Sequence, residues 1–508
     1  MTRANTLVFL ASHELRLGWR DWIALLTAGQ RHRLRSVAIV LVLFAVVMHL
    51  IAYSVVGAYA RLGAVPDKAM LVSLTGTLIL SFSLLLSQAM ESVTRAFYQR
   101  SDLDLILTSP TSPRAVFAIR IGSIAASGAA LAMLIASPFV NVLAALGGAH
   151  WLLAYFVLAG MGIAATALAV ALTVLLFRLL GPQRTRLIAQ IVAAVIGAAF
   201  VIGLQVAAIL SYGSLSRYAP LKSHWLIAHA PDTTSALWLP ARAVLGDAQA
   251  LAAVVGLSVV LLAATILIFA PRFGDHAVAA AGVSEQVVRQ RRQRAFRARS
   301  PQAALRRKEW MLLKRDPWLM SQTLMQILYL LPPAVLLWRS FSSGTGALIV
   351  LVPVLVMAAG QLGGGLAWLS ISGEDAPDLV GTAPIGPRAV LLAKIEAVMG
   401  AIALIFAPLV LAFAVASPVT ALIAAIGTLA AAGAATAIQL FFRVQARRSQ
   451  FRRRQTSSRI ATLLEALSSI AWAGTAALLA AGTWFALAPG LIALGILLAA
   501  RALSPRAA

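Results

Sequence analysis

The sequence predicts an all-α polytopic membrane protein of about 12 transmembrane helices, built as two six-helix repeats with a short cytoplasmic helix in each. Three observations predict it. The chain has 508 residues, 60% of them hydrophobic, and a mean hydropathy of +0.88, more apolar surface than a water-soluble domain can hide. Apolar runs recur at close to the roughly 20 residues that a helix needs to cross a bilayer. One stretch of the chain also occurs twice, 274 residues apart.

The repeat comes first, because internal duplication fixes the architecture. Asp104–Ile121 and Asp378–Ile395 align over 18 positions with nine identities: Asp104/Asp378, Leu105/Leu379, Thr108/Thr382, Pro110/Pro384, Pro113/Pro387, Arg114/Arg388, Ala115/Ala389, Val116/Val390 and Ile121/Ile395. In copy one Leu103, Ile106 and Leu107 fall on one face of a short helix. Pro110 stops that helix. Ser112-Pro113 then restarts a helix as N-cap and first helical residue, and Gly386-Pro387 does the same in copy two. Alone, either copy reads as a polar loop between spans. Two copies at corresponding places read as a docking element.

From the N-terminus, residues 1–36 are basic and partly amphipathic. They predict a helix lying on the membrane surface, with Leu15, Trp19 and Trp22 turned to lipid. This motif also returns: Glu14, Arg20 and Asp21 match Glu309, Arg315 and Asp316 at an offset of 295. Copy one is 21 residues longer between its two motifs, and the basic Arg31–Arg35 segment lies in that excess. The first apolar run comes too late for a signal peptide.

Apolar runs follow at 37–58, 69–90, 115–138, 151–178, 187–211 and 250–270, then at 319–338, 346–370, 388–415, 418–441, 459–483 and 486–503. The predicted domains are 1–271 and 305–508, joined by a basic connector at 272–304. With both termini in the cytoplasm, 36 of the 42 Lys and Arg residues lie on the cytoplasmic side, as the positive-inside rule requires. The two repeat motifs then face the cytoplasm, after spans two and eight. On the outer side, 212–249 is a long loop in which Trp238–Arg242 reads as the start of an interfacial or re-entrant helix. The second half has only a few residues at that place.

The net charge of +25 is accounted for by topology, and the Arg289–Arg294 run reads as a solvated or headgroup-binding segment. No aromatic stacking platform accompanies it, so nucleic-acid binding is not expected. With no cysteine there is no disulfide and no thiol chemistry. The chain has no phosphate loop, not even a Gly-Lys pair, and no H-E-x-x-H. Gly363-Gly364-Gly365 lies within a span and predicts close helix packing. Glu91, Glu396, Glu465 and His49 are ionisable residues within or at the ends of spans. The plain reading of each is a snorkelling or paired structural residue. His49 alone is deep enough to suggest a pathway, and no ladder of acids accompanies it.

The order of elements in each half is an amphipathic helix with E-x5-RD, two spans, a cytoplasmic D-L-x-L-L-x-S-P-like element, then four spans. This resembles the permease subunits of bacterial ABC exporters of the ABC-2 type, here as a fused tandem over nearly the whole chain. The resemblance implies that the cytoplasmic elements are coupling helices docking on a separate ATPase. That role falls on Asp102, Asp104, Leu105, Thr108 and Pro110, and on Asp375, Asp378, Leu379, Thr382 and Pro384. It makes Glu14, Arg20, Asp21, Glu309, Arg315 and Asp316 parts of connecting helices. It implies a multi-pass protein of the bacterial inner membrane with no catalytic site, metal or cofactor of its own. ATP and Mg would sit on a cytoplasmic partner, present in two copies. Few charges lie in mid-span, which favours lipid-like or amphipathic cargo. Self-association of the chain stays open. An ion-coupled secondary transporter with parallel repeats and a non-transporting membrane scaffold or enzyme are the alternatives.

Overall fold

The computed structural model describes residues 8–14, 16–20, 34–60, 67–98, 112–212, 221, 223–272, 300–315, 346–372, 382–442 and 459–504, with positions 324, 328, 331, 332, 335 and 380. In chain order the helices are α1 (Leu34–Ala60), α2 (Lys68–Tyr98), α3 (Pro113–Gly147), α4 (Leu153–Tyr212), α5 (His224–His229), α6 (Leu239–Val244), α7 (Ala248–Phe269), α8 (Pro301–Arg315), α9 (Gly346–Ser372), α10 (Pro387–Ala416), α11 (Pro418–Phe442), α12 (Arg459–Ala480) and α13 (Leu487–Leu503). Residues 8–14 and 16–20 are also helical. The described residues contain no strand. Among them, ten helices are long and apolar enough to cross a membrane. The protein is an all-α polytopic membrane protein. Those ten match predicted spans two to six and eight to twelve. Span one is α1, whose described apolar stretch is the shorter Leu41–Gly57. Most of span seven lies outside the described residues.

Two helix starts follow from their caps. Ser112 is extended and accepts a hydrogen bond from the Ala115 N–H at 3.4 Å, with Pro113 as the first helical residue. Gly386 is likewise extended before Pro387. Helix α3 departs from its predicted end. It runs through Pro138 to Gly147, where the sequence placed a boundary at 138. In lipid a broken helix leaves several backbone groups without partners, whereas an internal proline forfeits one hydrogen bond. Another junction is tighter than predicted. Helix α4 counts 60 residues, about 90 Å if straight, against a hydrocarbon core of roughly 30 Å. The chain turns at Gly181 instead, with φ 73° and ψ 169°, a conformation that essentially only glycine adopts.

The chain divides into two compact units, 1–208 with 216–287, and 209–215 with 288–508. In the first, α1 lies along α3, and α2 packs on α3. Its core joins Leu71, Met90 and Val93 of α2 to Phe117 and Ile121 of α3 and to Val157 and Val170 of α4. In the second, α9 is central, with 72% of its spanning window buried, and is surrounded by α10, α11 and α12. Lipid offers helices no hydrophobic drive to associate, so close packing of small residues takes its place. A Cβ on Gly363 would lie 3.0 Å from Ala432, and one on Gly360 would strike Ser469. The glycine run is therefore a packing surface, as its position within a span predicts.

Candidate functional site

Two of the residues singled out by the repeats, Glu14 and Glu309, each enter an ion pair, one in each unit. In the second unit, α8 carries Glu309 on the face it turns to α10. Glu309 is fully buried. The Lys394 ammonium donates to its Oε1 at 3.0 Å, and Lys308 lies 3.3 Å from the same oxygen. Lys394 also donates to the carbonyl of Ser370, near the end of α9. One turn along α8, Arg306 Nη2 donates to Glu396 Oε1 at 2.8 Å. Trp310 lies over Gly400, where a Cβ would come within 2.9 Å of the indole ring. Arg306, Glu309 and Trp310 are spaced i, i+3, i+4, so one helix face makes all three contacts.

In the first unit, Glu14 Oε1 lies 3.6 Å from Arg120 Nε of α3. Both side chains are well covered, with 11% and 4% exposure. Glu14 and Glu309 occupy equivalent places in the amphipathic motif. Arg120 and Lys394 each stand seven residues after the proline that opens their helix, and 274 residues apart. The amphipathic helix is thus tied by charge, in both units, to the helix that follows the Asp-Leu element. Burial makes each pair intolerant of losing one member, because that would leave an uncompensated charge in a low-dielectric setting.

Asp102, Asp104, Leu105, Thr108, Pro110, Asp21, Asp316, Asp375, Asp378 and Leu379 lie outside the described residues. Thr382 and Pro384 are exposed just ahead of α10, and Pro384 lies in the turn closed by the Ile385 N–H on the Ala383 carbonyl at 2.7 Å. Arg20 is exposed, and Arg315 ends α8. Trp19 is 67% exposed, in keeping with a face turned to lipid.

Of the ionisable residues in spans, Glu91 stands 3.9 Å from Arg95, one turn on, and Glu396 is held by Arg306. Glu465 has a partner within the bundle. It is 5% exposed, accepts a hydrogen bond from Gln439 Nε2 at 2.6 Å, and fills the space above Gly364. Nor is His49 solitary. Asn141 of α3 lies 3.3 Å from its Nε2, and Tyr155 of α4 donates to Asn141 at 2.7 Å. Among the described residues, no three His, Cys, Asp or Glu side chains are grouped to hold a metal ion.

The far end of the first unit carries a folded cap within the predicted loop 212–249. Trp238 is buried and donates to the Asp232 carbonyl at 3.0 Å. Lys68 pairs with Asp232 at 3.1 Å. Asp247 caps α7, accepting from Gln249 and Ala250 N–H groups at 3.0 Å, and also pairs with Arg242. The Ala250 N–H, and then Arg242, hold the Asp247 carboxyl below the usual range. The turn into this helix needs Gly246, at φ 108°.

Arg120, Lys394, Asn141 and Tyr155 were not among the residues the sequence singled out. A signal existed for two of them: Arg120 and Lys394 align in the repeat as a conservative pair. Comparison with family models, with curated proteins and with solved structures finds no match.

Proposed function

We propose that this chain is the permease subunit of an ATP-driven exporter of the ABC-2 type, energised by a separate cytoplasmic ATPase. The observation that carries the reading is the repeated ion pair, Glu14–Arg120 and Glu309–Lys394. In each unit it fastens the amphipathic helix to the helix that begins directly after the Asp-Leu element. Arg120 and Lys394 stand about 10 Å along those helices from their first residues. A push on the element therefore moves two helices as one body, which is the rigid-body coupling that alternating access requires.

On this reading both termini and both Asp-Leu elements face the cytoplasm of a bacterium, and the chain sits in the inner membrane. Two ATPase subunits, carrying ATP and Mg, each engage one element. The chain itself hydrolyses nothing, consistent with a sequence that lacks a phosphate loop. The cargo is lipid-like or amphipathic, because the spans hold few charges. The test is co-purification from solubilised membranes. Wild type is expected to retain a cytoplasmic ATPase that Asp104→Arg/Asp378→Arg loses. No ATPase with either form, from monodisperse protein, would overturn the reading.

One observation favours the alternative of an ion-coupled carrier: the buried carboxyl of Glu465 within α12. That reading predicts cation-driven flux in vesicles without ATP, abolished by Glu465→Gln.

A further inference from the structure

The side of α8 that faces away from the bundle joins positive charge to apolar surface at a fixed depth in the membrane. The depth comes from α10. Glu396 is its last charged residue, and Ala397–Ala416 follow as 20 residues without a charge, about 30 Å of helix. That is close to the thickness of the hydrocarbon core, so hydrocarbon begins at Glu396. Helix α8 lies against α10 at this level. Arg306 pairs with Glu396, Glu309 pairs with Lys394, and Trp310 covers Gly400. The helix therefore stands level with the lipid headgroups, not beyond them.

Its outward side is basic. Leu305, Glu309 and Leu313 form the buried side. Arg307 and Lys314 are seven residues apart, so they project within about 20° of each other, opposite that buried side. Both are exposed, and among the described residues neither makes an ion pair or hydrogen bond. Trp310 and Met311 flank them with 42% and 38% exposure. Within Pro301–Arg315 the one acid is Glu309, so the outward side of the helix carries no negative charge.

The first unit has the same arrangement on other positions. Arg120 is the last charged residue of α3. It pairs with Glu14, the one acid in helical residues 8–14 and 16–20. Arg16 and Arg20 lie on the side away from Glu14 and are exposed, with exposed Trp19 beside them. At the repeat offset of 295, Arg16 and Trp19 stand where α8 has Met311 and Lys314. The positions differ, yet each helix presents two cations and a tryptophan outward.

We infer that the outward face of α8 binds acidic phospholipid of the adjoining leaflet. Arg307 and Lys314 take headgroup phosphates, while Trp310 and Met311 lie among the glycerol esters and upper acyl chains. Tryptophan favours that depth. Each cation beside an acidic bilayer surface strengthens binding by about fivefold, a gain that a zwitterionic surface of no net charge does not supply. A protein arriving from water would reach only the edge of this face, because lipid stands level with it.

The chain has no cysteine, so Met311→Cys provides a single attachment point for a bimane fluorophore on this face. The full-length labelled protein, with no ATPase present, is reconstituted in phosphatidylcholine vesicles. The vesicles contain a small fraction of lipid with a doxyl quencher near the headgroup, carried by phosphatidylglycerol in one set and by phosphatidylcholine in the other. At low salt the phosphatidylglycerol is expected to quench at about a 25-fold lower mole fraction, fivefold for each cation. The preference should shrink in 1 M salt and vanish in Arg307→Gln/Lys314→Gln. Equal quenching by the two lipids in the protein with both cations would overturn the inference, and that comparison decides the matter if the double variant fails to fold. A preference that persists in the folded double variant would also overturn it. So would quenching by neither lipid together with quenching by aqueous iodide, which would put the face in water, open to a protein partner.

Discussion

The two units agree at one end and differ elsewhere. At the repeat end both hold an amphipathic helix by a carboxylate on a basic residue seven positions into the next long helix. The grip is not the same. Glu309 is fully buried, and Lys394 serves both it and a backbone carbonyl, whereas Glu14 keeps 11% exposure against Arg120. Within the spans the difference is in packing. Gly360, Gly363 and Gly364 of α9 stand 274 residues after Leu86, Ala89 and Met90 of α2, and all six are buried. The same helix face is buried in both units, by backbone approach in one and largely by the Leu86 and Met90 side chains in the other. At the far end, only the first unit has a cap built on Trp238, Asp232 and Asp247. Duplication has kept the grip and let the packing and the cap diverge. That is what is expected if the grip serves a task common to both halves.

The comparison breaks first at Lys394. Lys394→Met leaves the buried Glu309 carboxylate with Lys308 alone as its cation and should destabilise the protein by about 3 kcal/mol, the lower end of the cost of breaking a buried pair. Glu309→Gln/Lys394→Met should recover most of that loss. Denaturant unfolding of the purified protein in detergent reads both. If the double variant is no better than the single, the Glu309–Lys394 pair is not what joins α8 to α10.

Arg120→Met is the matching change in the first unit. It should cost about 2 kcal/mol, less than Lys394→Met, because Glu14 retains some water. An equal or larger loss in the same unfolding assay would show that the two grips are equivalent. Gly364→Ala sharpens the packing difference. An added Cβ would stand 2.1 Å from the Glu465 carboxyl, and the expected loss is roughly 1–2 kcal/mol, the lower part of the overpacking range. Gly364→Ala/Glu465→Ala should relieve it, measured by the same unfolding.

The smallest effect belongs to the far end. The Asp247 carboxyl is held below its ordinary value of 3.8. A depressed folded pKa means stability that is present above the ordinary value and lost as pH falls through the folded one. Asp247→Asn should therefore flatten the acid limb of the stability profile, while Asp67→Asn at the start of α2 serves as a comparison. Hydrogen exchange at the Gln249 and Ala250 amides, followed from neutral to acid pH, checks it locally. Exchange that stays pH-independent beyond the intrinsic rate in wild type would exclude the cap.

Much of this architecture was legible in sequence because its signals are local. Ser112-Pro113 and Gly386-Pro387 place two helix starts to the residue, since cap and proline act on their own backbone. Apolar run length places the spans because a bilayer imposes it. The partners were harder. Arg120 and Lys394 stand next to last in the aligned blocks, but one is Arg and the other Lys, and both sit inside apolar runs where a cation reads as a span end. Their role depends on a helix more than 80 residues away in the chain. Asn141 was hidden for another reason. Reading Pro138 as the end of a span put Asn141 in a loop, and the helix in fact continues. The sequence therefore offers His49 no companion.

Gly181 carries a consequence for how this chain can change over time. A junction of one residue has no slack with which to absorb an insertion or deletion. A single added codon just after it would rotate the following helix by about 100°, turning Ala193, Ala194, Ala198 and Val201, now buried, out of their contacts. Length variation among descendants of this gene should then be barred at this point, while substitutions on the exposed side of the same helix pass freely.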